Sequence, residues 1–155
     1  MQNKDNASLN LKDLVVALKS KLTPIFEKYN CQFVYLAGSW ATGQVTRWSD
    51  IDVFVSIPRI HTIDDQTTFD MLVSLNTEAE QVTGISTLEV WILETLPIHV
   101  QFQVIAEGIV LYEKSEKTRL DYKERIMKLY YDHIIWYENM LNLSLKQTKL
   151  NYRVY

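Results

Sequence analysis

The chain has 155 residues, 47% of them hydrophobic, and a formal charge of −3 from 16 basic and 19 acidic residues. That is the size of one folding unit with a core of its own, and the acidic balance excludes a surface built to track a polynucleotide backbone, so nucleic acid is not the expected substrate. A lone cysteine, Cys31, excludes an internal disulfide framework and a cysteine-based zinc site; the polar opening MQNKDNASLN has no signal-peptide core, and no apolar run reaches the roughly 18 residues of a membrane span. The expected setting is the cytoplasm, with no membrane partner and with Cys31 as a small core residue.

From Leu11, apolar residues recur at spacings of three and four through Leu14, Val15, Leu18, Leu22, Ile25, Phe26 and Tyr29. This predicts an amphipathic helix over about 9–29, which Pro24 either kinks or restarts. Gln32–Ala37 is rich in aromatic and branched residues and is stopped by Gly38, as a buried strand ending in a sharp turn would be. A helical turn, Trp40–Gly43, and a second strand, Asp52–Ile57, follow. Phe69, Leu72, Val73, Leu75 and Ala79 fit a helix between Ile63 and Val82 that stops at Thr83-Gly84, and Thr87–Leu93 alternates as a strand. In Pro97–Glu107, His99, Gln101 and Gln103 alternate with Val100, Phe102 and Val104, so periodicity alone predicts a half-exposed strand. Ile109–Tyr112 is a further short strand, and a long helix follows over about 116–148. No repeat or linker marks a boundary, so residues 1–155 are expected to form a single domain with a catalytic core over about 32–114.

The chemistry concentrates between Gly38 and Glu89. Strand alternation puts Asp50 and Asp52 on one face with Phe54. Two like charges ~6 Å apart repel by roughly 3 kcal/mol at an effective dielectric near 20, so such a pair is better tolerated with a hard cation such as Mg²⁺ or Mn²⁺ between the groups. Glu89 lies opposite the apolar face of its own strand, beside Trp91, and supplies the third carboxylate that a two-metal site needs. It would also favour loss of a proton from an attacking hydroxyl. Upstream, Gly38 lets backbone approach a phosphate closely, and Ser39 opens a turn whose free N–H groups and hydroxyl suit phosphate oxygens, although a serine there also serves as a plain helix cap.

The run GSWATGQVTRWSDIDVFV resembles the signature of polymerase-beta-like nucleotidyltransferases, in which Gly-Ser is followed after ten residues by Asp-x-Asp. At average residue frequencies such a match arises by chance in only about one chain in several hundred. Leu88-Glu89-Val90, Leu96-Pro97 and Glu107-Gly108-Ile109-Val110-Leu111-Tyr112-Glu113 extend the resemblance, over roughly 33–114, to the minimal nucleotidyltransferases. The resemblance implies an α/β fold with a mixed sheet of about four or five strands carrying the carboxylates, helices on the opposite face, and a long C-terminal helix alongside. It implies a helix, against the periodicity, for Pro97–Glu107. It also implies two Mg²⁺ ions held by Asp50, Asp52 and Glu89, ATP as co-substrate held at Gly38 and Ser39, and a HEPN-domain ribonuclease toxin as partner. The activity implied is that of an antitoxin that transfers AMP to a tyrosine of that toxin.

Two positions depart from the family pattern. Glu89 stands where the minimal enzymes usually carry aspartate, and Thr42 where arginine is common, leaving open whether Arg47 takes over a phosphate contact. Two rival readings follow: a catalytically weak or inactive antitoxin that neutralises by binding, and a small-molecule nucleotidyltransferase, against which the short chain argues. His61, His99 and His133 lack zinc-site spacing and read as ordinary surface or core histidines. The C-terminal segment carries Tyr130, Tyr131, Trp136, Tyr137, Tyr152 and Tyr155, more aromatics than one helix face buries, which admits a partner surface beside simple packing.

Overall fold

The computed structural model describes residues 10–152. The chain begins with helix α1 (Leu11–Lys28), capped by the Asn10 side chain, which accepts from the Lys12 N–H. The expected start near residue 9 lies outside the described residues. Leu14, Leu18, Leu22, Ile25 and Phe26 form the buried stripe, and the helix runs through Pro24 without a restart. Strand β1 (Phe33–Ala37) follows, buried at every position, and then the one-turn helix α2 (Ser39–Thr42) and strand β2 (Ile51–Ser56). Helix α3 (Asp65–Thr83) starts on an Asp64 cap that accepts from the Thr67 N–H at 2.9 Å and stops at Gly84, whose φ of 72° is left-handed.

Strand β3 (Leu88–Ile92), helix α4 (Ile98–Glu107), strand β4 (Ile109–Glu113) and helix α5 (Glu116–Tyr152) complete the chain. The four strands form one mixed sheet in the order β3-β2-β1-β4, with β2 and β3 parallel and β1 antiparallel to both its neighbours. Side-chain alternation divides the core in two. Val34, Leu36, Ile51, Val53, Val55, Leu88, Val90 and Ile92 pack one face against the apolar sides of α1 and α3. Phe33, Tyr35, Ala37 and Phe54 face the other way, against Val104 and Ile105 of α4 and Tyr122 and Ile126 of α5. Asp52 shares the parity of Phe54, so α4 and the start of α5 pack on the carboxylate-bearing side of the sheet, beside the part occupied by Phe33, Tyr35 and Phe54.

Pro97–Glu107 is the place where periodicity misleads. The segment is helical, and its buried residues are Gln101, Val104 and Ile105, a helical spacing in which one polar residue breaks the apolar pattern. Gln101 is accommodated because its amide donates to the Leu96 carbonyl at 2.7 Å and its oxygen accepts from the Tyr122 hydroxyl. Gly108 ends α4 where a Cβ would meet the Val104 carbonyl at 2.3 Å. Cys31 is fully buried beside the α1 core, and burial, aided by the charge of Glu94, pushes its thiol up to about 12, as befits an inert core residue.

Candidate active site

The first strand ends at Gly38, whose φ of 71° and ψ of −152° belong to a region open almost only to glycine. The turn behind it closes on itself: Ala41 and Thr42 donate to the Gly38 carbonyl at 3.1 and 3.2 Å, and the Thr42 hydroxyl bonds to the same atom at 3.2 Å. The N–H groups of Ser39 and Trp40 precede those bonds and have no intrahelical partner. Thr42 is thus committed to the turn. Arg47 stacks its guanidinium over the Trp48 ring, with its carbon 4.8 Å from the ring centroid.

Asp50 reaches the site by a different route from the one alternation predicts. Strand β2 starts at Ile51, so Asp50 is delivered by a turn in which Thr46 N–H donates to Ser49 Oγ at 2.8 Å and Ser49 N–H returns to the Thr46 carbonyl at 3.1 Å. Its side chain is exposed, while Asp52, inside the strand, is half-buried. The two carboxylates sense each other. Burial first, and the charge of Asp50 second, raise the Asp52 carboxyl above its ordinary range, opposed by a hydrogen bond from the Trp91 indole.

Strand register brings in the third acid, because Asp52 sits directly beside Glu89 on the parallel neighbour β3 and Ala37 lies opposite it on β1. Two residues outside the expected site set hold this arrangement. Trp91, which strand alternation places beside Glu89, donates its indole N–H to the Asp52 carboxylate. Asn76, on the buried side of α3, donates to the Val90 carbonyl at 2.9 Å and accepts from the Val90 N–H at 2.8 Å, fixing edge strand β3 on both sides of Glu89's neighbour. Nothing in the sequence distinguishes Asn76 from a helix surface residue.

The donor set suits a divalent cation. All three groups are hard oxygen donors, none of the ion pairs among the described residues involves them, and Asp50 and Asp52 crowd each other with like charge. The geometry around Gly38 fits too, since a Cβ there would stand 2.7 Å from Asp52 Oδ2. Among the described residues no group of three His, Cys, Asp or Glu side chains is gathered closely enough to form a ready-made metal cluster. His61, His99 and His133 are all exposed. No helix among the described residues is long and apolar enough to cross a membrane.

A separate cleft of about 420 Å³ lies at the other end of β2, lined by Ser56, Arg59, His61, Glu94, Tyr122 and Arg125 among others. Glu94 is set into it, accepting from the Ser56 hydroxyl and, at 3.3 Å, from the Ile57 N–H. Burial pushes the Glu94 carboxyl up, and those hydrogen bonds and the nearby His61 only partly oppose it. A carboxyl whose pKa rises on folding favours the folded state at low pH, and that advantage is lost as pH rises through the raised value. Replacing Glu94 by glutamine is therefore expected to raise the thermal midpoint at about pH 8 and leave it nearly unchanged near pH 4, as calorimetric melts would measure.

The mixed sheet, the Gly38 turn and acids on neighbouring parallel strands define a protein of the nucleotidyltransferase class. The sequence profile described as "Polymerase beta, Nucleotidyltransferase" matches residues 20–117, and the chain belongs to that family. Among curated proteins none matches. Among solved structures, a toxin–antitoxin complex with AMP-PNP contains a chain that is 18% identical, with 86% of this chain and 97% of that one covered and a TM-score of 0.58. A chain from the MntA-HepT toxin–antitoxin is 14% identical over 85% of this chain and 93% of that one, with a TM-score of 0.52. A chain from a tri-AMPylated Shewanella oneidensis HEPN toxin in complex with MNT antitoxin is 14% identical over 85% and 92%, with a TM-score of 0.52. At these identities the likeness is one of fold.

Proposed function

We propose that this chain is an antitoxin-type protein adenylyltransferase that moves AMP from ATP to a tyrosine of a cognate HEPN ribonuclease toxin. The observation that carries this reading is the register of Asp52 beside Glu89, with the Asp52 carboxylate set so close against the Gly38 turn that a Cβ there would stand 2.7 Å from its Oδ2. The fold likeness to chains from toxin–antitoxin complexes, one holding AMP-PNP and one an AMP-modified HEPN toxin, supports the choice of acceptor.

Asp50, Asp52 and Glu89 would hold two Mg²⁺ ions. When bound, such ions supply charge stabilisation at the triphosphate and lower the pKa of an attacking hydroxyl. The remaining work falls to the chain. Gly38 permits close approach, while the N–H groups of Ser39 and Trp40 and the Ser39 hydroxyl donate to phosphate oxygens and orient them. Glu89 is exposed, so an acceptor hydroxyl from another protein can reach it. The tyrosine oxygen bonds to the α-phosphorus, the bond from that phosphorus to the pyrophosphate oxygen breaks, and the hydroxyl proton passes to a carboxylate and then to water.

The test is the intact mass of a HEPN partner encoded beside this chain and co-expressed with it. One or more added AMP groups, lost with Asp52→Ala, are expected. Neutralisation of the toxin with no change in its mass would replace the enzyme by a binding-only antitoxin, the reading that glutamate rather than aspartate at position 89 keeps in view. Transfer to a small molecule with the toxin left unmodified would overturn both.

A further inference from the structure

Helix α5 is 37 residues long, but its packing changes partway. Tyr122 and Ile126 are buried in the core, and Tyr130 stacks on Phe102 of α4 with ring centroids 3.9 Å apart. Beyond that point the helix leaves the sheet and remains apolar: Trp136 is 57% exposed, Met140 49% and Leu143 59%. Tyr122, Ile126, Leu129, His133, Trp136, Met140 and Leu143 alternate spacings of four and three, the a/d pattern of a helix-pairing seam. The stripe that enters the core therefore continues past it, facing nothing among the described residues. Tyr155 lies outside those residues, as does the side chain of Tyr152.

Polar residues beside the exposed stripe give its partner away. Asp132, Asn139 and Lys146 recur every seven residues, each immediately ahead of an a position or one heptad from it, on the g edge of the seam. All three are exposed, and none is hydrogen-bonded or ion-paired to another described residue. An acid, an amide and a base at equal intervals form a row that complements itself when reversed. In a two-fold interface each contact occurs twice, residue i on j and j on i. Antiparallel pairing that sets Trp136 against Met140 of a second chain, and His133 against Leu143, brings Asp132 to Lys146 twice and Asn139 to its own counterpart.

We propose that the projecting half of α5 pairs antiparallel with the same segment of a second copy of this chain, in the register fixed by Asp132, Asn139 and Lys146. The pairing buries Trp136, Met140 and Leu143, which are exposed in the single chain. The inference does not depend on the acceptor proposed above.

Light scattering behind a sizing column, run on the purified full chain over a concentration series, tests it. The wild type is expected to be a dimer whose thermal midpoint rises with concentration, and Trp136→Glu a folded monomer whose midpoint does not, since Trp136 is exposed in the single chain. Asp132→Lys makes both ion pairs repulsive and is expected to raise the dimer dissociation constant by roughly tenfold or more. Asp132→Lys combined with Lys146→Asp restores the complementary row and is expected to restore the dimer. A monomeric wild type, or a dimer indifferent to these charge changes, would overturn the proposal. So would charge reversal that weakens capture of a co-expressed toxin without rescue by the double substitution, because the stripe would then belong to that partner.

Discussion

Replacing Asp52 by asparagine is expected to lower adenylyl transfer by at least ~10³-fold, about 4 kcal/mol of transition-state stabilisation, while leaving the protein as stable as before or more so at neutral pH. The two effects have opposite signs for one reason. Burial and the charge of Asp50 raise the Asp52 carboxyl, so the charged form is held in the folded protein at a cost. A raised carboxyl pKa gives a stability that is present at low pH and lost as pH rises through the raised value, and asparagine removes that loss. The Trp91 indole that donates to the carboxylate can still donate to the asparagine oxygen. Rate assays with labelled ATP beside thermal melts over pH would separate chemistry from folding; parallel losses in both would show that Asp52 serves the fold.

A second large effect is expected at Gly38. Alanine there meets two obstacles: a backbone conformation with φ at 71° and ψ at −152° that costs a non-glycine residue roughly 1–3 kcal/mol, and a Cβ placed 2.7 Å from Asp52 Oδ2. The chain can relieve the contact only by turning the Asp52 side chain or moving the turn. A displacement near 1 Å in a catalytic constellation costs roughly 10²-fold in rate, so Gly38→Ala should lose both stability and activity. Gly43 is the control. Its φ is 76°, but nothing stands within 4 Å of the site its Cβ would occupy. Gly43→Ala should therefore cost about 1–2 kcal/mol of stability from the left-handed backbone and leave the rate per folded molecule intact. Equal rate losses at the two glycines would contradict the crowding between Gly38 and Asp52.

These expectations rest on features that the sequence makes legible to different degrees. The spacing from Gly38-Ser39 to Asp50-Ile51-Asp52 needs no structure, because it reflects a strand, a turn and a returning strand whose lengths leave little freedom. Helices α1, α3 and α5 were readable from their apolar stripes, and the strands from branched and aromatic runs ended by Gly38 or bounded by turns. What stayed hidden was decided by tertiary partners. Gln101 looks like an exposed strand residue until the Leu96 carbonyl and the Tyr122 hydroxyl satisfy its amide inside a helix. Asp50 looks like a strand residue until the Thr46–Ser49 turn is seen to deliver it from outside β2. Asn76 carries no local signature, since its meaning lies in the backbone of a strand 14 residues away. The side of the sheet to which α5 packs depends on Phe33, Tyr35 and Phe54 pointing the same way as Asp52, which becomes plain only once the register is known.

The central claim is that Asp50, Asp52 and Glu89 hold a divalent cation beside a triphosphate cradled at Gly38 and Ser39. Nuclear magnetic resonance of the isotope-labelled full chain, titrated with ATP and then with Mn²⁺ as the paramagnetic probe, tests it most directly. The amide signals of Gly38, Ser39, Asp50, Asp52 and Glu89 should broaden first and together, and Asp52→Asn should abolish the broadening. Uniform broadening across the surface, or broadening confined to the cleft around Glu94, would contradict the assignment.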